Sequence, residues 1–246
     1  MTKMNLRIHV APVGFETDRI VLSAKKRRAD RVYLMVHQNP SQDKAGHFIR
    51  KAQDTLKKEN IEVVIEPHDR LDLFEIIKSI KQIIVKEEGN NIYVNLASGS
   101  KIQAIAGMMA CMMFNEKKNV FPFYVEAKEY TGFKKQEIST GIKELIDLPS
   151  YEIQKPEQKH IDALKLISEN DGRLTKKMMA ELADNGGLIS VNAEKENYSQ
   201  ARFASLDKNI IQPLLVRWKF IEEEKIGRTR WIKMTQEGQN AAKFLI

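Results

Sequence analysis

An α/β domain on a mostly parallel, Rossmann-like sheet, followed by a small helical domain closed by a hairpin, is the fold class this sequence predicts. Three observations predict it. Apolar runs of strand length alternate four times with amphipathic stretches of helix length over residues 5–114, the pattern of parallel strands joined by crossover helices. Leu148-Pro149-Ser150 then breaks the pattern. Beyond the break come three helical stretches, the last the longest, and an alternating segment that turns at Gly227.

In chain order, Leu6-Arg7-Ile8-His9-Val10 reads as the first strand and stops at Ala11-Pro12. The loop Val13-Gly14-Phe15-Glu16 leads to a helix opened by Thr17-Asp18 and closed by Lys25-Lys26-Arg27-Arg28, cations that complement a helix C-terminus. Strands at 32–36 and 61–65 alternate with helices at 44–59 and 71–85. His37 leaves the second strand. Ile92-Tyr93-Val94-Asn95 is the fourth strand, Leu96-Ala97-Ser98-Gly99-Ser100-Lys101 a small-residue corner, and Ile102 to Phe114 a helix with scarcely any polar face. A helix apolar all round is expected to be buried all round. One side belongs on its own sheet; the other is left to a second subunit, to the second domain or to the terminal ribbon. A strand at 120–125 and a ribbon over 130–148 with turns at Gly132 and Gly141 complete the domain.

A strand, a Ser-Gly-Ser corner and a helix start together suit an anion. Unpaired first-turn N–H groups, two hydroxyls and the Lys101 ammonium converge there. A plain helix start capped by Ser98 or Ser100 fits the same residues. The spacing is not that of a P-loop, and the three-glycine dinucleotide fingerprint is missing. If the strand order is 3-2-1-4-5, strands one and four are neighbours and the loops at Gly14-Phe15 and Ser98–Lys101 face each other across one crevice, with His37 at its edge.

The 246 residues, 42% hydrophobic and 30% charged, suffice for one large and one small domain, placed at 1–150 and 151–246. Cys111 is the single cysteine, which excludes a disulfide framework and a thiolate metal cluster, and the five histidines lack metal-ligand spacing. No metal or other cofactor is expected. No apolar segment of signal length opens the chain, and the run around Cys111 is too short and too rich in Met to span a bilayer. A cytoplasmic location without a membrane partner follows.

A net charge of +7 suits an anionic partner, and residues 197–246 hold nine Lys or Arg against five Asp or Glu. Helices are read at 156–170 and 176–184. A longer one follows, with Ser199 as N-cap and Phe203, Leu206, Ile210, Leu214 and Trp218 on one face. This is the helix-turn-helix plan. At about 100° per residue the opposite face holds Arg202, Ser205, Lys208, Asn209 and Gln212, donors and amides suited to phosphates and base edges. Pro213 is expected to bend the helix. The hairpin from Phe220 to Thr235 turns at Gly227 with a basic tip, and a final helix starts at Glu237.

Helix, helix, long helix and basic-tipped hairpin resemble the winged helix-turn-helix of prokaryotic transcription regulators. The ending Gly-Arg-Thr-Arg-Trp-Ile-Lys-Met-Thr-Gln-Glu-Gly is close to that family's wing and exit. Together with His9–Glu16 and Asn95–Lys101, it makes the whole chain resemble the regulators that join a CRISPR-associated Rossmann-fold (CARF) domain to a winged helix, of archaeal type. Ala97, Ser98 and Ser100 stand where that family usually has Thr, Gly and Thr. The resemblance implies a homodimer whose sensor domains share a cleft for a nucleotide such as cyclic oligoadenylate, bound through Gly14, Phe15, His37, Asn95, Ser98, Gly99, Ser100 and Lys101. It further implies double-stranded DNA as partner, with Arg202, Ser205, Lys208 and Asn209 in the major groove and Lys225, Arg228 and Arg230 on phosphate or in the minor groove. A ligand-responsive transcription regulator, not an enzyme and with no catalytic residue, is the leading expectation. The alternatives are a ring-nuclease-like enzyme that cleaves the cyclic nucleotide and a DNA-binding protein with a degenerate sensor.

Overall fold

The computed structural model describes residues 5–131 and 137–246, and the chain divides into two compact units, Met1–Gln154 and Lys155–Ile246. The first unit runs β1 (Arg7–Pro12), α1 (Asp18–Lys26), β2 (Arg31–His37), α2 (Gly46–Lys58), β3 (Glu62–His68), α3 (Leu73–Lys86), β4 (Asn91–Asn95), α4 (Lys101–Met113), β5 (Val120–Tyr130) and β6 (Ser139–Asp147). The sheet order is β3-β2-β1-β4-β5-β6. Pairs among the first five strands are parallel, and β6 runs antiparallel on β5. The order reverses between β1 and β4, which places the C-terminal ends of those two strands at the switch point.

β2 lies next to the edge strand β3 and reads Val-Tyr-Leu-Met-Val from Val32 to Val36 without a charge; Val32 to Met35 are fully buried, as a strand covered on both faces requires. Ile20, Val21 and Ala24 of α1 and Phe48, Ala52 and Leu56 of α2 cover Val32, Leu34 and Val36. On α4, a Cβ added at Gly107 would stand 2.6 Å from Leu96 Cδ2 and 3.5 Å from Val94 Cγ1. Gly107 therefore lets α4 close onto β4.

The outer side of α4 carries exposed apolar residues within one chain: Ile105 is 57% exposed, and Met108, Met109, Met112 and Met113 are half-buried. Within one copy its sheet and α3 cover only the inner side. Gly141 is not a turn but a residue of β6 at φ +64°, beside a register shift at Glu126/Ala127. It faces Lys128, and its N–H donates to Asp18 Oδ2 at 2.7 Å. The turn expected at Gly132 lies outside the described residues.

The second unit runs α5 (Gln158–Ser168), β7 (Arg173–Thr175), α6 (Lys176–Asn185), α7 (Tyr198–Leu206), β8 (Ile221–Ile226), β9 (Thr229–Met234) and α8 (Gln236–Leu245), with the sheet order β7-β9-β8. Leu164, Ile167, Leu174, Ala180, Leu206, Ile210, Leu214, Ile221 and Ile232 form one core. β7 is too short for periodicity to announce. The N-cap of α7 is Asn197, and Ser199 lies inside its first turn.

Pro213 acts differently from a simple bend. Past Leu206 the helix widens into π turns over Asp207–Ile211 and Pro213–Arg217, and the Trp218 N–H reaches back five residues to the Pro213 carbonyl. Pro213 has no N–H to offer the carbonyl of Asn209, four residues before it. His160 of α5 bonds that carbonyl, its Nε2 lying 3.0 Å from Asn209 O.

Candidate functional site

The corner after β4 is organised by glycines. Gly99 adopts φ +80°, and a Cβ there would lie 2.6 Å from Pro12 Cβ. Gly14 packs directly on it, since a Cβ on Gly14 would stand 3.1 Å from both Gly99 Cα and Gly99 N. Neither backbone position tolerates a side chain, so the loops after β1 and β4 lie in contact at the switch point.

Ser100 settles the alternatives for the cap. Its Oγ accepts from Gln103 N at 3.3 Å while Gln103 Oε1 accepts from Ser100 N at 2.8 Å, a full capping box. Two donors are thereby satisfied, which leaves the N–H groups of Lys101 and Ile102 as the open first-turn donors of α4. Ser98 is 2% exposed and its Oγ has no partner among the described residues. Lys101 is exposed beside it. Backbone donors at the positive end of a helix, an unpartnered hydroxyl and an ammonium can hold a phosphate-like group. The N-terminus of α1 is taken: Glu16 carries Arg19 at 3.0 Å, and the Ser139 hydroxyl donates to Glu16 at 2.9 Å.

Other predicted residues support this seat or stand apart. Asn95 is 1% exposed and spends its amide inside the protein, Nδ2 donating to Arg19 O at 3.1 Å and Oδ1 accepting from Ala97 N at 2.9 Å. It shapes the loop. The Phe15 ring packs edge-on against Phe48, with centroids 5.6 Å apart. The His37 ring is bound into its own turn, where Nδ1 accepts from Asn39 N at 2.9 Å, and its strand pairs it with His68, which meets Gln103.

Two residues that pattern did not single out matter more. Arg19 is 5% exposed and donates to Ala97 O at 2.7 Å, with its guanidinium over the rings of Tyr124 and Tyr130. It ties the corner to α1 and β5. His68, at the end of β3, meets Gln103 Nε2 at 3.0 Å and buttresses the capping box; burial lowers its pKa. Neither is visible in periodicity, because both act across strands distant in sequence. A cavity of about 600 Å³ lies toward the opposite end of β4, lined by Arg27, Tyr93, Met112, Phe121, Asp147 and Ser150. Its cation Arg27, half-buried, is already paired with Asp147, so the α4 start is the better seat for an anion.

In the second unit Lys225, Arg228 and Arg230 are exposed and have no carboxylate partner among the described residues. The wing turns through Gly227 and Arg228, with positive φ at Gly227 alone, the pattern of a type II′ turn. The acidic run before the tip is partly offset: Glu222 and Glu224 share Lys233 at 3.9 and 3.4 Å, and Glu223 meets Lys176 at 3.4 Å. On the long helix Lys208 is exposed. Arg202, by contrast, lies 3.7 Å from both Glu181 and Asp184. Ser205 donates to Ser190 O at 3.0 Å and accepts from Asn209 Nδ2 at 3.1 Å.

The family described as HFX_2341_N-like, N-terminal, matches residues 7–130, half of the chain and the whole of the switch point. The chain belongs to this family. Residues 159–246 of this HFX_2341_N-like protein match the DUF6293 C-terminal winged helix domain. The organisation is therefore a Rossmann-type domain of this family followed by a winged helix domain. The uncharacterized protein MJ1513 of Methanocaldococcus jannaschii is 29% identical over 331 aligned positions that cover 100% of this chain and 98% of the relative. Among solved structures, Csm6 of Enterococcus italicus, bound to cyclic hexa-2′-fluoro-hexa-dAMP, is similar at a TM-score of 0.43 and 12% identity over 87% of this chain. Can2 of Sulfobacillus thermosulfidooxidans, in complex with cyclic tetra-adenylate, is similar at 0.41 and 13% identity over 96%. The HFX_2341_N-like chain spans 56% and 63% of the lengths of those two proteins. Among the described residues no helix is long and apolar enough to cross a membrane, and no His, Cys, Asp and Glu cluster can hold a metal ion.

Proposed function

We propose that the protein is a homodimeric, cytoplasmic, ligand-responsive DNA-binding transcription regulator. One observation carries the reading: the same chain holds a helix start with exposed Lys101 and the buried, unpartnered hydroxyl of Ser98, and a winged helix whose Lys225, Arg228 and Arg230 are exposed without a carboxylate partner among the described residues. The first suits a phosphorylated ligand and the second a phosphate backbone. Cyclic oligoadenylate is the ligand class that the sequence resemblance implies, and a ligand with its own symmetry suits a site made from two copies of the corner. Ligand bound there biases the paired sensors between two arrangements, and the reading helices follow by changing their spacing on the duplex.

The test is fluorescence anisotropy of the full-length protein on duplex DNA from upstream of its own gene, with and without cyclic tetra-adenylate. A change in DNA affinity on adding the nucleotide, lost in Lys101→Ala, supports the regulator. Linear adenylate products would instead make the sensor a ring-nuclease-type enzyme. DNA binding indifferent to the nucleotide would leave a DNA-binding protein whose sensor takes no such ligand.

A further inference from the structure

We infer that the duplex is read by a ridge of every fourth residue on the long helix, Gln200, Ala204, Lys208, Gln212 and Val216, and not by the flank that carries Arg202, Ser205 and Asn209. The inference rests on the DNA-binding reading above and names what that surface recognises. In a uniform α-helix every fourth residue advances about 40° around the axis, so such a row would spiral off one face. Here the wider π turns from Asp207 to Arg217 offset that advance. All five ridge residues are exposed, whereas Leu206, Ile210 and Leu214 are buried on the other side.

The flanking residues are already engaged within the unit. Arg202 is held by Glu181 and Asp184, Ser205 by Ser190 O, and the Asn209 amide by Ser205 Oγ. A side chain bound on its own protein cannot also meet a base edge without breaking those contacts. The wing is set for the same duplex. Strand alternation places Lys225 and Arg230, a cross-strand pair, on the side of the hairpin shared by Glu223 and Ile232. Ile232 faces the core, and Lys176 joins Glu223 to Asp207 at the start of the π turns, at 3.4 and 2.5 Å.

The chemistry of the ridge gives a base preference. Gln212 and Gln200 offer the amide pair that meets adenine N6 and N7; Lys208 donates to guanine O6 and N7; Ala204 provides apolar contact for a thymine methyl. The preferred half-site therefore holds a guanine at one position and an adenine one helical turn along the ridge from it.

Selection of bound duplexes from a random library by the full-length protein tests this. The wild type is expected to enrich a motif with those two positions. Gln212→Ala should relax the adenine and Lys208→Ala the guanine, each lowering preference for its base by about tenfold. Arg202→Gln should leave the motif unchanged. Identical motifs from the wild type and both ridge variants would overturn the ridge, as would a base-specific change in Arg202→Gln. Duplex retained without any enriched sequence would also overturn it, while leaving DNA binding intact. No duplex retained at all would remove both.

Discussion

At residue Gly99 two independent constraints meet: a left-handed φ of +80° and a gap to Pro12 too small for a Cβ. Gly99→Ala is expected to cost about 1–3 kcal/mol from the backbone alone, read as a lower urea midpoint, and to abolish any thermal shift from nucleotide. Unaltered stability would mean that the loop is not held as described. His9 is a second residue whose setting makes a measurable statement. It is 2% exposed between Tyr93 and Phe123, and burial, with Arg27 and Arg7 nearby, pushes its pKa down to about 3. In the unfolded chain the ring gains its proton as pH falls through its ordinary value, while in the folded protein it stays neutral until about 3. Between those values the unfolded state binds more protons, so stability falls with falling pH, by up to about 1.4 kcal/mol per unit. Denaturation of wild type and His9→Phe at pH 7, 6, 5 and 4 checks this. The variant should lose the smaller share of its stability, and parallel losses would overturn the assignment.

At the scale of an element, the long helix shows how one proline is accommodated. Pro213 removes a donor, the turns widen, and His160 bonds the carbonyl of Asn209. Burial lowers the His160 pKa, which keeps the ring neutral. His160→Phe should cost about 1–3 kcal/mol by leaving that carbonyl buried and unpaired. Adding Pro213→Ala should recover part of the loss, because the new N–H can meet Asn209 O; a strictly additive double-mutant cycle would argue against the exchange. The wing is an element whose contribution reads in salt. Arg228→Ala with Arg230→Ala should reduce the slope of log affinity against log salt by about 1.8. An unchanged slope would put the wing off the duplex.

For the whole molecule, the open question is what covers α4. Ile105 stands outward in a row of half-buried methionines, and a second copy of the chain is the proposed cover. Ile105→Glu should turn a dimer into a monomer by sedimentation while leaving the melting of the first unit nearly unchanged, since the side chain has little to lose within one copy. A persistent dimer would place the interface elsewhere. Much of the architecture was legible beforehand: strand and helix alternation and the hairpin turning at Gly227 follow from local pattern, while the strand order entered only as a condition and the cap was left between Ser98 and Ser100 until the fold decided both. β7 was not, being three residues long, and neither were Arg19 and His68, whose partners lie 78 and 35 positions away. The apolar face of the long helix was legible from Phe203 through Leu206, Ile210 and Leu214 to Trp218, whereas the engagement of Arg202, Ser205 and Asn209 within the unit was not. Hydrophobic period and turn chemistry act over a few residues, so the sequence alone determined the elements and their order. Which polar side chains remain free for a ligand or a duplex depends on who reaches them across the fold, and only the tertiary structure decided that.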